Sequence, residues 1–86
     1  MALERRTLLL GRKVELERQT RRLAVEIDVA VHALRLHFEP MDPNLQYIDS
    51  IDPETIQIDA EMIVRKKKVY GMAKAELALV NSELGE

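Results

Sequence analysis

Eighty-six residues without a single cysteine make one small domain, whose core no disulfide or thiolate-held metal can reinforce. With 47% of residues hydrophobic and 33% charged, the chain is too apolar to be disordered, and one Phe, two Tyr and no Trp leave its core to aliphatic side chains. The net charge of −2 hides a pattern: residues 1–22 carry seven Lys and Arg against three acids, residues 23–63 one Arg against nine acids, and residues 64–86 five basic residues against three acids.

No apolar stretch approaches the roughly 20 residues that span a bilayer, and the apolar run at the N-terminus is too short for a signal peptide. The protein is therefore expected to be cytoplasmic and to have no membrane partner.

From the N-terminus, Leu9, Leu16, Leu23 and Ala30 recur every seven residues, and Ile27 and Leu34 fall four after Leu23 and Ala30. This is a heptad seam with two polar intrusions, Lys13 and Thr20. The stretch LAVEIDVAVHALRLHF, from Leu23 to Phe38, also alternates like a half-buried strand, with Leu23, Val25, Ile27, Val29 and Val31 apolar. Strands usually run about 3 to 10 residues, however, and the alternation slips after Ala33. No Gly or Pro lies between Arg12 and Glu39, so a helix is expected over about residues 3–38. At helical spacing the stretch has a second apolar stripe, Val25, Val29 and Leu36, which one hairpin partner cannot cover.

The connection, residues 39–52, holds Asp42-Pro43 and Asp52-Pro53. In each pair the Asp can cap a helix whose first residue is Pro. A short helix over about 43–49 is expected, then a long one over about 53–84. In the latter, Ile56, Ile63, Tyr70, Leu77 and Leu84 recur every seven residues, with Ala73 and Val80 between them. Gly71, Ala75 and Ala78 form a small-residue stripe suited to close approach of a neighbouring helix.

The fold expected is all-α, an antiparallel helical hairpin with a short helical element in its connection, dimerising into a four-helix bundle. A seam that pairs Leu16 with Val80, Leu23 with Ala73 and Leu34 with Ile63 leaves Val25, Val29 and Leu36 as the dimer interface. Lys13 and Lys66 should lie at the seam's edge, stems packed and heads in water.

Three clusters bear on function. Asp28 and His32 stand one helical turn apart, with His37 and Glu39 further on, but His37 lies about 140° around the helix from His32, so solvated or capping roles are expected rather than a metal site. Acidic residues crowd the connection, and Leu45, Tyr47, Ile48, Asp49 and Asp52 are the expected contacts to a protein partner. Arg5, Arg6, Arg12, Lys13, Arg18, Arg21, Arg22 and Lys74 make the alternative, a basic band for nucleic acid, against which stand a sequence pI of 5.7 and few aromatics. No Ser-His-Asp order, Gly-rich phosphate loop, HExxH or CxxC occurs. The sequence thus reads as a non-catalytic interaction module without a cofactor, an adaptor, regulator or inhibitor that binds itself and a protein partner. A structural component of a larger assembly is the further alternative.

Overall fold

Residues 23–36, whose apolar letters alternate as a strand's would, are helical. The computed structural model describes residues 3–39 and 44–86. Helix α1 spans Leu3–Leu36, a 3-10 helix spans Gln46–Ser50, and helix α2 spans Pro53–Leu84. Helix wins in the ambiguous stretch because helical spacing brings Leu16, Thr20, Leu23 and Ala30 onto one buried line. That burial offsets the rotamer freedom lost by the β-branched residues Val25, Ile27, Val29 and Val31.

The helix ends follow from local chemistry. The N–H groups of His37, Phe38 and Glu39 donate to the carbonyls of Leu34, Arg35 and Leu36 at 3.2, 3.0 and 3.4 Å. This tightened turn closes α1 two residues short of the expected end, and Pro40 in the sequence disfavours helical geometry at Glu39. Helix α2 starts as Asp52-Pro53 foretells, with Asp52 at the N-cap and Pro in the first turn. It ends at Gly85, whose φ of 81° is the left-handed conformation that glycine adopts without strain. Gly85 N–H donates to the Ser82 carbonyl at 3.1 Å and Glu86 N–H to the Asn81 carbonyl at 2.8 Å, a Schellman cap. The short connecting helix begins at Gln46, later than expected, and Asp42-Pro43 lies outside the described residues.

The helices lie antiparallel, Arg5 beside Glu83 at one end and His37 beside Asp59 at the other. Leu16, Ala73, Val80 and Leu84 form one buried cluster, with Leu9 and Leu77 packed against it. Leu16 and Val80, expected to face each other, share that cluster; Ala73, expected opposite Leu23, belongs to it too. Buried Thr20 is satisfied within its own helix, its hydroxyl donating to the Glu17 carbonyl at 3.0 Å. Lys13 and Lys66 sit at the seam's edge, their ammonium groups meeting the carboxylates of Glu86 and Glu26. One expectation fails within the hairpin: Gly71, Ala75 and Ala78 are exposed, and beyond its chain neighbours and the surrounding backbone of α2 nothing stands within 4 Å of where a side chain on Gly71 would begin.

The result is a rod of 68 × 19 × 15 Å with a radius of gyration of 19.6 Å. A compact domain of this length has a radius of gyration of about 12 Å. Its accessible surface is 6749 Å², where a compact monomer of 9.9 kDa exposes about 5,200 Å². Two helices side by side have one seam and no second layer, so whatever is apolar outside that seam faces solvent.

Candidate interaction surfaces

The tip of the rod joins α1 to α2. Asp52 Oδ1 accepts from the N–H groups of Glu54 and Thr55 at 3.2 and 3.3 Å, and its Oδ2 accepts from the Thr55 hydroxyl at 2.7 Å. The Thr55 hydroxyl, then the Thr55 N–H, hold the Asp52 carboxyl below its ordinary range. Asp52 is thus committed to starting α2. Asp59 is committed too: its Oδ2 lies 2.6 Å from Nε2 of His37, a half-buried pair that ties the end of α1 to the second turn of α2. Of the remaining acids in this part of the chain, Glu39, Asp49, Glu54 and Glu61 are exposed, Glu61 accepting from Gln57 at 3.2 Å; Asp42 lies outside the described residues.

Leu45 and Ile48 project from this tip at 59% and 50% exposure, beside the exposed carboxylate of Asp49. Tyr47 is half-buried, and its carbonyl accepts from the Ser50 hydroxyl at 2.7 Å. Leu45 adopts φ 61° and ψ 19°, a left-handed conformation uncommon outside glycine and asparagine, at the N-cap of the 3-10 helix. Of the five residues singled out for a protein partner, the structure leaves Leu45, Ile48 and Asp49 outward, while Tyr47 is partly covered and Asp52 is a cap.

The histidines do not converge. His32 bonds within its own helix, Nδ1 lying 2.9 Å from the Asp28 carbonyl oxygen, whereas His37 meets Asp59. No group of three or more His, Cys, Asp or Glu among the described residues is arranged to hold a metal ion.

At the opposite end, cross-helix acids meet the basic band. Arg12 makes a two-point contact with Glu76, Nε to Oε1 at 2.9 Å and Nη2 to Oε2 at 2.8 Å, and also reaches Glu15. The Glu76 hydrogen bonds are the largest influence raising the Arg12 pKa above its ordinary value. Arg5 pairs with Glu83 and Lys13 with Glu86. Three of the eight residues proposed for nucleic acid therefore carry acidic partners from the C-terminal part of the chain. Arg18 and Arg22 line an open depression with Glu15 and Gln19 on the outer side of α1.

A further feature is apolar. Val25, Val29 and Leu36, expected to be left over by the hairpin, are 64%, 64% and 68% exposed. They are not isolated: Val25, Val29 and Ala33 line a shallow groove whose other wall is Met62 of α2, with Glu26 and Lys66 bridging it at 3.5 Å. To either side of Met62 on α2, Ile58, Val69, Met72 and Leu79 are exposed as well, with Arg65 and Glu76 between them. Sequence reasoning missed this second stripe on α2. Its signal was present, since Ile58, Met62, Val69, Met72 and Leu79 hold helical spacing, but the unbroken seam beginning at Ile56 accounted for that helix by itself.

No family model, curated protein or solved structure matches this chain, so its reading rests on its own residues and geometry.

Proposed function

We propose that the chain is a non-catalytic protein-interaction module, an adaptor, regulator or inhibitor, that works as a helical homodimer and engages a protein partner with its acidic tip. The observation that carries the reading is the apolar face running from Val25, Val29 and Leu36 across the groove to Met62 and along α2. Apolar surface of this extent outside a thin seam favours association over a solvated rod. The surface exceeds that of a compact monomer by about 1,500 Å², because the rod has no second layer to cover its outer faces. A four-helix bundle of two hairpins covers such a face and supplies the layer that the lone hairpin lacks.

The tip is the part that such a bundle leaves outward. Leu45 and Ile48 offer apolar anchors next to Asp49, with the exposed Glu39 and Glu54 at the adjoining ends of the two helices, a composition suited to a partner whose surface is basic around an apolar pocket. Replacing Tyr47 and Ile48 by alanine tests this role. The expected result is loss of proteins that co-purify with the native chain, with the oligomer intact by light scattering. Retention of both oligomer and partner would reduce the tip to a linker.

A further inference from the structure

The second stripe on α2 is itself a heptad. Ile58, Met62, Val69, Met72 and Leu79 fall, together with Arg65, Glu76 and Glu83, at intervals that alternate four, three, four, three along the helix. A repeat of this kind keeps one line of a helix facing a neighbour along its whole length. The line runs about 110° around α2 from the seam that packs on α1. It is exposed throughout, Met62 by 38%, Ile58 by 57% and Leu79 by 67%. A helix with two heptad seams is written for two helical neighbours, and α1 is only one of them.

The charged members of the stripe say which neighbour. We propose that this line packs against the same line of a second copy, antiparallel, about a two-fold axis between Val69 and Met72. This rests on the homodimer reading and assigns its interface. In that arrangement Val69 faces Met72 of the second copy, Met62 faces Leu79, Ile58 faces Glu83 and Arg65 faces Glu76. The one cation of the stripe meets a carboxylate, and the symmetry makes the pair twice. Glu76, held by Arg12 through both oxygens, keeps 46% of its side chain exposed, so Arg65 of the second copy would join an existing ion pair. A parallel arrangement stacks Arg65 on Arg65, Glu76 on Glu76 and Glu83 on Glu83, three like-charge layers on one interface. The sign pattern therefore selects the antiparallel pair, and a self-complementary patch is what a two-fold interface needs. The stripe from Ile58 to Glu83 is about 38 Å long at helical rise, ample for a standard interface.

The absence of native cysteine makes disulfide trapping clean. Met62→Cys and Leu79→Cys variants are mixed in a glutathione redox buffer and the products separated by mass, with circular dichroism confirming that each variant stays helical. The expected product is the mixed disulfide, exceeding either symmetrical one by about tenfold. In sedimentation, Arg65→Glu should raise the dimer dissociation constant by about tenfold or more, by opposing two carboxylates, and Arg65→Lys should leave it within a few-fold. A dimer that forms symmetrical disulfides at Met62→Cys and Leu79→Cys instead overturns the antiparallel register. A dimer that forms none of the three puts the interface elsewhere and overturns the inference while leaving the homodimer standing. A chain that is monomeric and folded overturns both.

Discussion

Truncating Leu16 to alanine tests the seam on which the hairpin depends. Leu16 is fully buried and belongs to the cluster with Ala73, Val80 and Leu84. Leucine-to-alanine changes at buried sites cost about 2–5 kcal/mol, depending on how far the surroundings close on the space left. Here Leu9 and Leu77 border the cluster and are only partly buried, so they have freedom to move inward. That places the expected loss in the lower half of the range, about 2–3.5 kcal/mol. A domain of this length has a total stability of about 4–13 kcal/mol, and one with so thin a core belongs near the lower end. Leu16→Ala should therefore remove about half of it. Urea unfolding followed by circular dichroism reads this out, at one fixed protein concentration because association adds to apparent stability. Leu8→Ala, on the same helix but at 74% exposure, is the control and should fall within about 0.5 kcal/mol of the parent. If Leu16→Ala matched Leu8→Ala, the seam described here would be wrong.

Three further outcomes are expected. Gly71→Ala should stabilise the protein by about 0.5–1 kcal/mol in the same assay, because the position is helical, open and gains only propensity. The Asp52 carboxyl, held below its ordinary value of 3.8, is protonated less readily in the folded chain than in the unfolded one, so its contribution is present above about pH 3.8 and is lost as pH falls through the lower folded value. Asp52→Asn, which keeps a capping oxygen without the titration, should show a shallower acid limb than the parent in melting temperature against pH. Leu79→Ala, at a site two-thirds exposed in the single hairpin, should cost little folding within one chain. Covering the remaining surface in a dimer contributes about 1–2 kcal/mol per copy, so the dimer dissociation constant should rise about 30- to 700-fold by sedimentation.

How much of this was legible in the sequence varies by element. The heptads through Leu16, Leu23, Val80 and Leu84 marked the buried line because one period served both helices. Asp52-Pro53 marked the start of α2 because capping is decided within four residues. The alternation of Val25, Ile27, Val29 and Val31 was ambiguous, since it satisfies a period of two as well as two helical stripes; the length of the run, its slip after Ala33 and the lack of Gly and Pro from Arg12 to Glu39 argued for helix. The left-handed Leu45 was not legible, because nothing about leucine announces that conformation. Nor were the pairs Arg12–Glu76 and His37–Asp59, which exist only once a register brings distant residues together. On the exposed apolar face, Val25, Val29 and Leu36 stood out on α1, while the α2 stripe was masked by its own charged members, Arg65, Glu76 and Glu83. Those interruptions, read on a single helix, look like a solvated face; in the proposed antiparallel pair they set the register.

Everything proposed for this chain turns on whether a second copy covers its apolar face. Sedimentation equilibrium over a concentration series, at neutral pH and moderate salt, tests it most directly. The expected species has twice the 9.9 kDa chain mass and dissociates on dilution with loss of helicity. A 9.9 kDa species that keeps its full helical signal across the series would contradict it.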